Sequence, residues 1–308
     1  MRLLTLLIVF IFLFSYCGDK EEQVLKGELL KVKEISYPSG STISFHKGKL
    51  YLMGDDAQRL LILDTSFNSL DSLLVFPERD RRTPKAVKPD IESSEMIDDS
   101  LWLLGSGTLT PYRDSIFRLS FLNGSIKRSS LKVVYDKAGS KIENLNIEGF
   151  TKIEDLLVFG NRRIDPEHRN FFITTASNSL ENQNKAGIKI IPFAAPSPDA
   201  GISGLSFYPQ KDILFVTCSE EFTGNSYQDG AIGQSYLGII KEASEKLEAD
   251  SISTLSWIPL SAVSESFNNI KIESVAVSEI KKDVFLLYLT ADNDNGKTVL
   301  FKVRLIIK

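Results

Sequence analysis

Three glutamates occupy equivalent places along this chain. Glu92, Glu148 and Glu273 each follow an isoleucine at the head of a short apolar run, and Ser41 and Ser203 hold the matching place in two further segments. A second apolar run follows each head and ends in polar residues: Asp55 and Asp56, Ser106, Asn161 with Arg162, Glu220, and Asp292 with Asp294. A carboxylate beside a packed strand needs a cation or hydrogen bonds. Two chemistries suit the set. Calcium takes about 6–8 oxygen ligands, and Glu92, Glu148, Glu273, Asp292 and Asp294 are the candidate ligands. Arginine beside carboxylates suits bidentate capture of a phosphate or sugar acid; Arg59, Arg113, Arg162 and Arg163 lie close to the run ends. The ligand-binding set is therefore Ser41, Asp55, Asp56, Glu92, Ser106, Arg113, Glu148, Asn161, Arg162, Ser203, Glu220 and Glu273. Its alternative is structural: mutual ion pairs, and carboxylates bonded to neighbouring strand amides.

Other chemistries find little support. Asp292-Asn293-Asp294-Asn295-Gly296 begins like an EF-hand loop, but the twelfth position is Val303 and a hairpin turn fits better. Zinc and a Ser-His-Asp triad are disfavoured by the two histidines, His46 and His168, and the lack of clustered cysteines. His168 falls on the same face as the glutamates and His46 on the opposite one. No glycine-rich phosphate loop is present. Cys218 lies inside an apolar run and reads as a buried, inert thiol. The net charge of -4 argues against nonspecific nucleic-acid binding, which needs a basic patch.

The elements that must position these residues are strands. Short runs rich in Leu, Ile, Val, Phe and Tyr are bounded by Gly, Asn, Asp, Ser and Pro. Only Lys241–Ala249 suggests a short turn of helix, with a loop as the equal alternative. From Ser41 through Glu92, Glu148 and Ser203 to Glu273 the spacing is 51, 56, 55 and 70 residues. A period near 50 with about four strands per unit marks a β-propeller. One blade cannot bury both apolar faces alone, and radial packing buries them against each other. Five four-stranded blades are expected, with six as the alternative if the long interval hides one. The last unit is a strand short, and residues 28–37 supply it by pairing with the C-terminal strand, which removes an exposed edge. In a propeller the start of strand one and the end of strand two share one face near the axis, so the singled-out residues gather there.

The N-terminus reads as an export signal over residues 1–16. Arg2 precedes the apolar run Leu3 to Phe14, which is shorter than the roughly 20 residues of a membrane-spanning helix. Phe14-Ser15-Tyr16-Cys17-Gly18 resembles a lipoprotein lipobox with Cys17 as the lipidated residue, although Tyr16 stands where that pattern prefers a small one. A tether over 17–27 and a propeller domain over 28–308 follow. Lys20-Glu21-Glu22 resembles the acidic tethers of surface lipoproteins. The expected location is the cell envelope, lipid-anchored to the outer membrane on its periplasmic or outer side, and the expected state is a monomer.

Gly54-Asp55-Asp56, Gly105-Ser106-Gly107 followed by Arg113, Glu148-Gly149, Gly160-Asn161-Arg162, Glu220 with Asp229-Gly230, Ser235-Tyr236-Leu237-Gly238 and Asp292-Asn293-Asp294 resemble an uncharacterised family of bacterial secreted propellers. More remotely, the Glu-Gly strand start is similar to the esterase-like phytase and SdiA-regulated propellers. The phytase likeness implies phosphoester hydrolysis with calcium, but Ser41 and Ser203 stand where it would require glutamate. Three readings stay open: a lipid-anchored module binding an anionic small or oligomeric ligand, with calcium as a candidate cofactor; a calcium-assisted phosphoesterase; and an envelope scaffold with a protein partner.

Overall fold

The computed structural model describes residues 25–78, 84–163, 169–181, 187–222, 230–249, 252, 256–292 and 296–308. The expected leader over 1–16, Cys17, His168 and Asp294 lie outside these residues. The strands form five separate four-stranded antiparallel sheets, and strand one of each sheet packs beside strand one of the next around a central axis. The expected five-bladed propeller is the observed one.

The first blade holds β2 (Gly40–His46), β3 (Lys49–Gly54), β4 (Arg59–Asp64) and β5 (Ser69–Leu74). The second holds β6 (Ile91–Ile97), β7 (Ser100–Gly105), β8 (Ser115–Ser120) and β9 (Ile126–Ser130). The third comprises β10 (Ile147–Ile153), β11 (Leu156–Asn161), β12 (Asn170–Ala176) and β13 (Lys189–Phe193), and the fourth β14 (Ala200–Tyr208), β15 (Ile213–Phe222), β16 (Ala231–Lys241) and β17 (Ser256–Pro259). The fifth joins β18 (Ile272–Lys281), β19 (Val284–Asp292) and β20 (Thr298–Ile307) to β1 (Leu25–Ile35) from the other end of the chain. β1 pairs antiparallel with β20 from Leu25 opposite Ile307 to Ile35 opposite Thr298. The predicted closing strand is thus real and starts three residues earlier than expected.

The core lies in the seams between blades. In β7, Leu101 and Leu103 pack toward the first blade while Trp102 and Leu104 pack toward the third. Strand β15 divides in the same way, with Leu214 and Val216 facing the third blade and Phe215 facing the fifth. Being buried on both faces, these second strands read as unbroken apolar runs rather than alternating ones. Cys218 is fully buried in the third–fourth seam, and burial pushes its thiol far above the ordinary range.

Two short helices fill the connections. α2 (Ala243–Glu248) falls where the sequence suggested one and inserts Ala243 and Leu247 into a seam. α1 (Lys132–Gly139) was not expected. Its Val-Val-Tyr run favours a strand by propensity, but Val134, Tyr135 and Ala138 fill the seam beside the third blade, and Tyr135 donates to the Gly105 carbonyl at 3.0 Å. The long interval before Glu273 holds no sixth blade among the described residues; α2 and the 3₁₀ turns at Leu260–Ala262 and Glu265–Phe267 lengthen it.

Inner strands approach closely where small residues permit. A Cβ on Gly204 would lie 2.9 Å from the Ser274 Cα of the next blade and 2.7 Å from Thr217 Oγ1. Gly204→Ala should therefore cost about 1–3 kcal/mol by overpacking, whereas Gly187→Ala, which meets open space, should be near neutral. Urea unfolding of the two variants measures the difference.

Candidate functional site

The repeat read from the sequence is a repeated β-bulge. Strand one and strand two pair in register until Gly40, Ile91, Ile147, Ile202 and Ile272, and each time one residue on strand one is skipped. The skipped residues are Ser41, Glu92, Glu148, Ser203 and Glu273. A bulge bends its strand and re-aims the side chain at that point. All five therefore sit at one mouth of the axis, together with the ends of the second strands.

Each bulged head docks on the blade before it. The N–H groups of Gly40, Ile91, Ile147, Ile202 and Ile272 donate to Thr298 Oγ1, the Asp55 carbonyl, the Ser106 carbonyl, Asn170 Oδ1 and Ser235 Oγ, over 2.8–3.2 Å. Four of the matching carbonyls are also capped from the preceding blade. Thr290 donates to Gly40 (2.9 Å), Ser41 to Ile91, Arg162 to Ile202 (3.4 Å) and Ser219 to Ile272 (2.9 Å). Ser203 is fully buried against Ser219, with their hydroxyls 3.5 Å apart. The two serine positions are thus absorbed in backbone and hydroxyl bonds.

The glutamates enter two charged groups. In the first, the Lys88 ammonium pairs with Asp55 and with Asp90, the latter at 2.7 Å. Arg113 reaches Asp90 at 2.8 Å and Thr108 at 2.8 Å, and Ser106 donates to Asp90. Carboxylate oxygens of Asp55, Asp90 and Glu92 lie within 4.8 Å of one another. Burial, with Asp90, Glu148 and Asp55 adding like charge, drives Glu92 well above the usual carboxylate range. Burial likewise lifts Asp55 to about 6, against the pull of Lys88. Burial alone would lower Lys88, but Asp55, Glu92 and Asp90 together hold it raised.

In the second group Lys271 bridges Glu221 and Glu273, each at 3.2 Å, and Arg162 reaches Glu221 at 3.2 Å. Glu148 accepts from Asn146 Nδ2 at 2.8 Å and acts electrostatically on Glu92, Glu273 and Arg162, which joins the two groups across the axis. Burial raises Glu273 to about 7, opposed by Lys271. Glu221 stays below the usual range because Lys271 and Arg162 outweigh its burial.

Not every expected residue joins. Asp56 is buried beside Asp55. Asn161 turns inward, its Oδ1 accepting from Asn146 N at 2.8 Å. Glu220 turns away from the axis, accepting from Gln234 N at 2.8 Å and Tyr236 Oη at 3.0 Å. A register irregularity on β15 at Glu220 causes this, and Glu221 takes the inward place. Asp292 ends β19 opposite Thr298 and is outside the carboxylate cluster found among the described residues. Asp90, Asn146 and Lys271 were not singled out. Their signal was present, since each precedes an Ile-Glu pair: Asp-Ile-Glu, Asn-Ile-Glu and Lys-Ile-Glu.

Beside the mouth, Lys141, Ile142, Glu143, Asn144, Asn161, Arg162, Arg169 and Phe171 line a cleft of about 240 Å³. Of its three cations Arg162 is held by Glu221, which leaves Lys141 and Arg169 beside the carboxylate of Glu143. Arg169 is exposed and pairs with no carboxylate among the described residues.

The sequence model of a family of unknown function, DUF6929, matches residues 36–305. No functionally curated protein matches the chain. Among solved structures, Myxococcus xanthus glutaminyl cyclase superposes with a TM-score of 0.53 at 11% identity, covering 92% of this chain and 97% of the other. A DUF4221 member from Bacteroides vulgatus gives 0.43 at 10% identity over 91% and 98% of the two chains. Virginiamycin B lyase from Staphylococcus aureus gives 0.40 at 13% over 91% and 99%. Identities this low speak to the fold alone.

The raised carboxyls set a pH dependence. Asp55, Glu92 and Glu273, together with Glu95 at the far end of the axis, hold protons in the folded state that the unfolded chain releases, so stability falls as pH rises from the ordinary carboxylate range through about 7. Lys88 and Lys271 stay charged across this window, and Glu221 stays ionised. Unfolding free energy should drop by about 4 kcal/mol or more between about pH 5 and about pH 7.5, at about 1.4 kcal/mol per pH unit for each group still protonated in the fold. Glu92→Gln should flatten that slope in urea titrations.

Proposed function

The chain belongs to the DUF6929 family, and we propose that it is a lipid-anchored envelope propeller that binds a small anion in the cleft beside the axial mouth. The supporting observation is the cleft itself: Lys141 and exposed Arg169, with Asn144 and Asn161, against the single carboxylate of Glu143, while Arg162 in its wall is held by Glu221. Arginine suits a carboxylate or phosphate through paired N–H donors. The axial mouth offers an anion less, because its cations are already engaged by Asp55, Asp90, Glu221 and Glu273. Calorimetric titration with inorganic phosphate and with glucuronate should show saturable binding. Arg169→Ala should weaken it about tenfold, or about 1.4 kcal/mol, with unfolding unchanged since Arg169 is exposed. Absence of binding by both anions at millimolar concentration would retire this reading.

The calcium-assisted phosphoesterase reading rests on Asp55, Asp90 and Glu92. The chemistry of that donor set opposes it. Lys88 sits on Asp55 and Asp90, and Arg113 on Asp90, supplying the positive charge a calcium ion would bring. The expected melting temperature is the same in calcium and in EDTA; a rise with calcium would restore the metal reading. The scaffold reading draws on exposed Leu30, Val32, Leu70, Leu74 and Ile126, but these sit on outer strands of three different blades, as scattered surface apolar residues ordinarily do.

No helix among the described residues is long and apolar enough to cross a membrane. Anchoring is assigned to Cys17. Cys17→Ser should abolish lipid labelling and move the protein from the membrane fraction to the soluble one.

A further inference from the structure

The opposite end of the axis is built differently. There the ends of β2, β6, β14 and β18 and their hairpin turns surround a cavity of about 750 Å³. Pockets that hold small organic molecules run from roughly 300 to 1,000 Å³. We propose that this cavity is a second binding site, for a small hydroxylated molecule carrying a protonated amine, such as an amino sugar or amino alcohol, with Glu95 as its anionic anchor.

Glu95 is the group that decides the ligand's charge. It leaves β6 and accepts from Thr151 Oγ1 of the third blade at 2.6 Å and from Met96 N at 2.9 Å. Both donors are neutral. No lysine or arginine among the described residues pairs with it, in contrast to the carboxylates at the other mouth, several of which have a cation. Burial raises Glu95 to about 7, with no cation opposing the shift. Glu95 is half-buried, and such a carboxyl without a cationic partner gains from a ligand that brings one.

The rest of the lining agrees. Asp98, Asp99 and Glu279 add negative charge around the cavity, against Lys47 and His46. Asp99 is held by His46 at 2.8 Å and by Lys47 at 2.5 Å, and Glu279 by Tyr208 at 2.9 Å and Lys211 at 3.3 Å. An anion would meet this field unfavourably. Ser44, Ser94, Ser206 and Ser278 line the cavity with hydroxyls. Ser44 and Ser94 are themselves linked at 2.7 Å, so the wall is an ordered hydroxyl surface suited to a polyol. Phe45, Phe207 and Tyr208 supply aromatic wall, and aromatic faces favour both sugar rings and ammonium groups.

The test is calorimetric titration of the full-length protein in detergent micelles with glucosamine, against glucose as its neutral match. Glucosamine should bind saturably and at least about tenfold more tightly than glucose. Glu95→Gln keeps a hydrogen-bond acceptor for Thr151 and should remove that preference. Should this variant fail to fold, Asp98→Asn serves: Asp98 is exposed with a φ of 46°, a conformation Asn tolerates, and the change should weaken glucosamine binding several-fold. Arg169→Ala, at the other face, should leave glucosamine binding unchanged, so this site and the anion cleft stand or fall separately. Equal binding of glucose and glucosamine, no binding of either, or an amine preference that survives Glu95→Gln would overturn the assignment.

Discussion

The structure depends on how each bulged strand head is bonded to the blade before it. A bulge removes one residue from the ladder and leaves neighbouring backbone groups needing partners. In all five blades the N–H just before the bulge finds its acceptor in the preceding blade. The last of these links closes the ring, joining Thr298 to Gly40 across 258 residues of sequence. Each bond contributes only about 0.5–1.5 kcal/mol net. Their larger effect is geometric, because they fix the angle at which each apolar seam closes. The seams then bury Leu101, Phe159, Phe215, Phe285 and their partners.

The same bulges dictate the electrostatics. They send three glutamates and two serines to one mouth, and a buried carboxylate is costly unless paired or protonated. Both remedies are present. Lys88, Arg113, Arg162 and Lys271 pair with the cluster, while Glu92 and Glu273 have raised proton affinity. The mouth that looked richest in ligand groups is therefore largely satisfied from within. Open clefts lie beside it, at Arg169, and at the far end of the axis, at Glu95.

The repeat, the closing strand and the shared face follow from spacing and from strand alternation, both properties of the local chain. Glu220 shows the limit. Counting from the strand end places Glu220 at the mouth, but the irregularity on β15 sends it outward to Tyr236 and gives the inward place to Glu221. α1 shows another: Val133, Val134 and Tyr135 favour a strand locally, and a seam that only the third blade creates makes them helical.

By itself the sequence determined an all-β propeller with Ser41, Glu92, Glu148, Ser203 and Glu273 equivalent to one another, and the structure settled five blades over the alternative of six. A repeat states its own period, and burial on two faces writes itself as unbroken apolar runs. Only the tertiary structure decided which charges meet. Lys88 with Asp55, Lys271 with Glu221, and Glu95 with Thr151 join residues 33, 50 and 56 positions apart in the chain. Such distances are bridged by the curvature of the ring and the register at each bulge, which no local pattern encodes.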